Sequence, residues 1–170
     1  MDFSEDGNFY CSYGQDGLLV IVELSSGDIV SRQAISVNNN GIKLTKVIFG
    51  SRIADPRGFK LAQYHLLGVS EQNQLVKLIY IPRTGQVQAS FIAQSTVRKE
   101  VTDLAFLSDR NYAVAVTVSG EILIVDIRAG SLLFQMGVPG QVAALQCVSV
   151  LKVSSDRRKE QQDIRRKMVY

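Results

Sequence analysis

Three segments of this chain end in the same way, with an apolar run followed by a turn that closes on glycine. The closing glycines are Gly27, Gly85 and Gly130, and a further β-like segment follows each of them. The runs are rich in β-branched residues, which favour strands, and glycine readily adopts the positive φ angles of tight turns. Aligned on the closing glycine, the runs superpose without a gap. The pattern therefore predicts a repeated hairpin.

Each repeat contains further predicted strands. One follows the closing turn, at 28–35, 86–93 and 131–138; another precedes the run, at 8–14, 60–69 and 111–118. The second and third repeats begin with one more strand, at 42–49 and 101–107, and 141–150 matches these as the first strand of another unit. The unit is four strands joined by short turns.

The spacing of the closing glycines fits one class of repeat. Gly85 and Gly130 lie 45 residues apart, within the roughly 40–45 residues of a propeller repeat. Gly27 and Gly85 lie 58 residues apart. The excess falls on 50–58, which contains Pro56 and two glycines, so we interpret it as a surface loop inserted between two strands.

The repeat resembles the WD40-like β-propeller family over about residues 3–150. That pattern ends its third strand with Trp-Asp and, after two residues, Thr/Ser-Gly. Val125-Asp126 before Gly130 keeps the aspartate, whereas Val22-Glu23 and Tyr80-Ile81 depart from the dipeptide. The chain has no Trp, and its only histidine, His65, is not in a Gly-His pair. The repeats are thus degenerate, and a β-sandwich or small all-β meander is the alternative fold.

The resemblance implies an all-β fold of about three four-stranded antiparallel sheets plus one strand. Since propellers have roughly 4–8 such sheets, we expect 1–150 to be a partial propeller. Protein partners, or the remainder of a larger propeller, would then cover its open sheet faces. The implied function is a non-catalytic scaffold for protein–protein interaction within a larger assembly.

The charge pattern separates a tail from this body. Hydrophobic residues make up 46% of the chain and its net charge is only +3, unlike a strongly basic nucleic-acid binder. Residues 151–170 are predicted to form a basic helix, which is either a solvated extension or a docking helix for an acidic partner, RNA or an anionic surface. Its candidate contact residues are Arg157, Arg158, Lys159, Arg165, Arg166 and Lys167, and those of the 50–58 loop are Arg52, Asp55 and Arg57.

No residue set predicts catalysis, a cofactor or a metal. His65 has no local Cys, Asp or Glu neighbours and is interpreted as a structural histidine, and neither a GxSxG elbow nor a phosphate-binding glycine loop occurs. Glu5 and Asp6 are interpreted as solvated turn residues, and Asp103 and Asp126 as carboxylates that hold turns. Two other functions remain open, an RNA-associated subunit that uses the tail and a fragment of a propeller enzyme.

The remaining features concern the cellular compartment. Cys11 and Cys147 are far apart within apolar runs, which predicts two reduced, buried thiols. The acidic N-terminus lacks the apolar region of a signal peptide, and no apolar run is long enough to span a bilayer. We therefore expect a soluble cytoplasmic or nuclear protein.

Overall fold

The fold consists of β-strands in three antiparallel sheets. The structure, a computed structural model, describes residues 1–53, 62–96, 100–107 and 110–137, and the backbone alone for 93–96. The strands are β1 (Asp2–Phe3), β2 (Phe9–Tyr13), β3 (Leu18–Glu23), β4 (Ile29–Val37), β5 (Asn40–Ile42), β6 (Leu44–Ile53), β7 (Gln63–Ser70), β8 (Gln74–Ile81), β9 (Gln86–Thr96), β10 (Val101–Phe106), β11 (Tyr112–Thr117), β12 (Glu121–Asp126) and β13 (Ser131–Gly137).

The strands pair in sequence order, as the repeat predicts. Sheet I contains β1–β5, sheet II β6–β9 and sheet III β10–β13, with antiparallel neighbours throughout each sheet. One parallel pair, Ser131 with Ala93, links the outer strands of sheets II and III. The first strands β1, β6 and β10 are neighbours, and so are the fourth strands β4, β9 and β13. The three sheets are therefore stacked side by side, which excludes a two-sheet sandwich.

Sheet II lies in the middle and is buried on both faces. Tyr64 and Leu66 of β7 pack in a core shared with sheet I, whereas Leu67 and Val69 pack in a core shared with sheet III. Successive side chains of a strand point to opposite faces, and a strand buried on both faces needs a nearly continuous apolar run. The run Leu66-Leu67-Gly68-Val69 meets this requirement.

The three closing glycines form equivalent turns. Gly27, Gly85 and Gly130 have φ angles of 75°, 69° and 70°. Each donates its N–H to the carbonyl four residues earlier, at 2.8, 3.0 and 2.9 Å. A side chain is disfavoured at such φ values. The glycine-closed turn predicted from the sequence is confirmed in all three sheets.

Several predictions need correction. Gly50 and Ser51 are buried strand residues of β6, so the segment predicted as a loop from residue 50 continues β6 as far as Ile53. The turn at Gln15-Asp16-Gly17 is not a tight two-residue loop, because β2 ends at Tyr13 and β3 starts at Leu18. The strand predicted at 141–150, the helix at 151–170 and Cys147 lie outside the described residues.

Sequence analysis also missed one hairpin. Val37 pairs with Asn40 across the two-residue turn Asn38-Asn39, whose φ angles are 51° and 65°. Positive φ at both central residues defines a type I′ turn, in which asparagine is favoured. The consecutive asparagines at 38–40 carried this signal.

Candidate functional site

The turns that follow the first strands of sheets I and III both contact the end of β6 in sheet II. In sheet I this turn joins β1 to β2, and Ser4 organises it. The Ser4 hydroxyl donates to Asp6 Oδ1 at 2.8 Å and accepts the N–H of Phe9 at 2.9 Å. The turn therefore presents Glu5 and Asp6 in a fixed geometry to the other sheets.

Asp6 joins sheet I to sheet II. Its Oδ2 accepts a 2.6 Å hydrogen bond from the Tyr64 hydroxyl and lies 3.7 Å from Arg52 Nη1. Burial alone favours the neutral acid, but the hydrogen bonds from Tyr64 and Ser4 outweigh it and lower the pKa of Asp6. Burial and the bond to Asp6 raise the pKa of Tyr64 to about 12. Asp6 is an exposed turn residue, as predicted, but its carboxylate also contacts Ser4, Tyr64 and Arg52.

Arg110 joins the turn of sheet III to both other sheets. Its Nε lies 4.0 Å from Glu5 Oε2, and its Nη1 donates to the carbonyl of Phe49 at 3.4 Å. Its own carbonyl accepts the N–H of Ser51 at 3.1 Å. The turns of sheets I and III are thus linked to each other by side chains of opposite charge, and to β6 by an ion pair and hydrogen bonds.

A β-bulge in β6 brings Ser51 next to His65. The pairing register of β6 and β7 shifts between Phe49 and Arg52, and such a bulge redirects side chains. Ser51 Oγ and His65 Nδ1 are 3.2 Å apart, and both residues are buried. Gly50 makes room for the Phe106 ring here, because an added Cβ would lie 2.5 Å from it. Sequence analysis missed this pair because the bulge leaves no local motif.

Within the described part of the chain, the Ser51–His65 pair lacks the third member of a catalytic triad. Burial and the positive charges of Lys77 and Arg128 lower the pKa of His65 to about 4, which makes it a weak base at neutral pH. The Asp126 carboxylate opposes this shift, but its Oδ1 accepts the N–H of Ala129 at 2.8 Å. In residues 1–53, 62–96, 100–107 and 110–137, no carboxylate is hydrogen-bonded to the imidazole, which a triad requires.

Asp126 and Asp103 have different roles. Asp126 holds the turn that closes on Gly130, as predicted for a carboxylate at this position. Asp103 Oδ1 instead accepts the N–H of the adjacent Leu104 at 2.9 Å and lies 4.0 Å from Lys46 Nζ of sheet II. It therefore contributes to the contact between two sheets.

A cavity of about 290 Å³ opens beside the Ser51–His65 pair, between sheets II and III. It is lined by Ser51, Arg52, Ile53, His65, Asn111 and Arg128. Lys77 lies close by, donating from Nζ to the carbonyl of Arg128 at 2.7 Å, and burial lowers the pKa of its ammonium group. The cavity wall is thus about equally polar and apolar, and it includes two guanidinium groups.

Only one of the candidate contact residues falls within the described part of the chain. Arg52 is exposed beside Asp6. Asp55 and Arg57 lie outside the described residues, as do the tail residues Arg157, Arg158, Lys159, Arg165, Arg166 and Lys167. Their role in contacts stays a prediction.

A second candidate surface is the face of sheet I that points away from sheet II. Phe3, Tyr10, Val22 and Ile29 pair in register across four adjacent strands and form one row on this face. Phe3 and Ile29 are 55% and 60% exposed. Both are large apolar side chains, a type that is usually buried in a folded protein.

Neither a metal site nor a membrane-spanning helix is found in the described ranges. No group of three or more His, Cys, Asp or Glu residues is placed to hold a metal ion there. No helix of those residues has the length and hydropathy needed to cross a bilayer. The Cys11 thiol is free and buried, as expected, and burial raises its pKa to about 12.

Comparison with solved structures identifies the class of fold. No family model matches the chain, and no curated protein does. Among solved structures, it is similar to the β-propeller domain of Cps50 (Swd1) from Myceliophteria thermophila, with a TM-score of 0.58 and 10% identity. The match covers 83% of this chain and 42% of that chain. The described sheets therefore have the fold of part of a β-propeller, and the chain spans less than half of the structure it matches.

Proposed function

We propose that this chain is a non-catalytic protein–protein interaction module of the WD40-like type, acting within a larger assembly. A further four-stranded sheet, from a partner or from the remainder of a longer propeller, packs on the open face of sheet I. The observation that carries the proposal is the row of Phe3, Tyr10, Val22 and Ile29 across that face.

The row has the composition of a buried interface. The Phe3 and Tyr10 rings lie 5.2 Å apart, and neither Tyr10 nor Val22 belongs to the cores on either side of sheet II. Fully burying a side chain such as Phe3 or Ile29 is worth roughly 1.5–3 kcal/mol. Covering the row therefore offers a sizeable gain in free energy.

A sheet is the occupant that fits this face. Sheet II already packs one sheet on each of its faces, and both of its cores are built from rows of apolar side chains on paired strands. The similar propeller domain has more than twice the matched length, since the match covers 42% of it. Stacking another sheet on sheet I repeats a contact that the molecule already makes twice.

Such a module acts through shape. Loops and sheet faces that are ordered before binding lose less conformational entropy when a partner binds. The predicted contacts through Arg52 at the end of β6, through Asp55 and Arg57, and through the basic tail would add an electrostatic component. No cofactor or metal is part of the proposal.

Sizing the chain tests the proposal. Multi-angle light scattering on the purified chain, with circular dichroism to verify folding, is expected to show self-association at micromolar concentration. The double variant Phe3→Ser, Ile29→Ser should reduce that association. Leu24→Ser is the matched control, because Leu24 is 44% exposed but lies in a turn outside the row. A folded wild-type chain that stays monomeric would overturn the proposal.

A further inference from the structure

The cavity between sheets II and III is the feature that the interaction role leaves unused. It lies beside the bulge of β6, at the opposite side of sheet II from the open face of sheet I. Its wall includes the imidazole of His65, which is only 3% exposed and, among the described residues, makes one hydrogen bond, to Ser51. A buried polar pair at a cavity wall is a candidate for ligand contact.

The Ser51–His65 pair supplies one hydrogen-bond donor whichever tautomer the imidazole adopts. If the Ser51 hydroxyl donates to Nδ1, the imidazole proton is on Nε2 and is not used within the pair. If Nδ1–H donates to Ser51 Oγ, the serine hydroxyl keeps its own proton free of the pair. At neutral pH the neutral pair therefore has one hydrogen that is not used between Ser51 and His65 and is available to an acceptor.

The charges around the cavity favour an anionic acceptor. Arg52 is already paired with Asp6, and the Lys77 ammonium donates to a carbonyl and is close to Asp126. Arg128 is exposed, lines the cavity, and takes part in none of the ion pairs within the described ranges. A guanidinium group presents several N–H donors in a planar fork that suits carboxylate and phosphate oxygens.

We propose that this cavity binds a small oxyanion, a phosphoryl or carboxylate group, between the Arg128 guanidinium and the Ser51–His65 pair. The volume of about 290 Å³ admits such a group with a short extension. The site goes beyond the interaction role, because neither the open face of sheet I nor the predicted tail contributes to it.

The single histidine makes the test direct. The chain contains only His65, so its imidazole signals in a proton–carbon NMR spectrum need no further assignment. Titration with inorganic phosphate at pH 7 and constant ionic strength should shift these signals saturably. A parallel titration with acetate distinguishes the two kinds of oxyanion. Saturation by phosphate alone indicates that the site binds a phosphoryl group, and saturation by both anions indicates that it also binds a carboxylate.

Two arginine variants separate specific binding from general charge effects. Arg128→Gln should weaken phosphate binding by roughly tenfold or more, as expected for the loss of a charge-assisted hydrogen bond. Arg32→Gln removes the same charge from an exposed arginine of sheet I that lies 3.7 Å from Asp16, and should leave binding unchanged. Both positions are exposed, so both variants should fold.

The proposal is overturned if neither anion shifts the His65 signals saturably, or if Arg128→Gln and Arg32→Gln change phosphate binding equally. Because the readout is an imidazole signal, it does not depend on whether the chain self-associates through sheet I. Failure here would leave the proposed interaction function standing.

Discussion

The Tyr64 hydroxyl donates a 2.6 Å hydrogen bond to Asp6 Oδ2, although the two residues are 58 positions apart in the chain. This bond connects the core between sheets I and II to the turn where the three sheets meet. Tyr80 lies in the same core, with its ring centroid 6.3 Å from that of Tyr64. Its buried hydroxyl has no hydrogen-bond partner among the residues that the structure describes.

The two tyrosines should respond in opposite ways to loss of the hydroxyl. Tyr64→Phe removes a hydrogen bond to a charged group and should lower the free energy of unfolding by about 1.5–3 kcal/mol. Tyr80→Phe removes an unpaired buried hydroxyl and should leave stability unchanged or raise it by about 1 kcal/mol. Urea unfolding followed by circular dichroism measures both. Equal destabilisation would show that ring packing, and not the Asp6 contact, determines the effect.

Gly50→Ala tests the close contact between sheets II and III. The added Cβ would lie 2.5 Å from one atom of the Phe106 ring and 3.2 Å from the carbonyl of His65. Overpacking of this kind costs about 1–3 kcal/mol, so the thermal midpoint should fall. Gly41→Ala is the control, because nothing lies within 4 Å of a Cβ at Gly41. If both variants unfold at the same temperature, the Phe106 ring can move away from the new Cβ, and the contact does not require glycine at position 50.

Local features of this fold could be predicted from the sequence because each depends on a few neighbouring residues. The turns closing on Gly27, Gly85 and Gly130 require positive φ, which glycine supplies at low cost. The strands between them follow from apolar, β-branched runs whose length matches a short strand. The four-strand unit then follows from repetition of these turns.

The candidate site could not be predicted in the same way. Ser51 meets His65 only because β6 bulges between Phe49 and Arg52, and one extra residue in a strand leaves no periodic signal. The contact of Asp6 with Tyr64 depends on how sheets I and II stack. In the sequence, Asp6 has the pattern of an ordinary acidic turn residue.

Gly85→Ala and Gly27→Ala compare equivalent turns in sheets II and I. Both glycines have positive φ, so each substitution should cost about 1 kcal/mol from backbone strain. Only at Gly85 would the new Cβ also meet a backbone atom, the carbonyl oxygen of Val30 at 2.7 Å; nothing lies within 4 Å at Gly27. Chemical denaturation should therefore show the larger loss for Gly85→Ala. The reverse order would mean that β4 moves away from the turn without cost.

His65 should make the stability of the protein depend on pH in a narrow window. Burial and the charges of Lys77 and Arg128 lower its pKa to about 4 from the ordinary value of 6.5. Between these values the unfolded chain binds more protons than the folded one, so stability is lost as pH falls. The free energy of unfolding should decrease by about 2 kcal/mol between pH 7.5 and pH 5. Carboxylates with lowered pKa values, such as Asp6, lose their contribution below this range.

The matched variant for this measurement is His65→Gln, which retains a polar side chain but cannot titrate. Urea unfolding at several pH values from 7.5 to 5 should show a sloping stability for the wild-type chain and a flatter one for His65→Gln. Equal slopes for the wild-type chain and His65→Gln would mean that the folded protein tolerates a protonated His65. The Asp126 carboxylate would then offset the positive charges of Lys77 and Arg128. Because Asp126 opposes the shift in the pKa of His65, Asp126→Asn should lower that pKa further, leave the slope between pH 7.5 and pH 5 nearly unchanged, and extend the loss of stability to lower pH. A loss that ends at a higher pH than in the wild-type chain would contradict the electrostatic account.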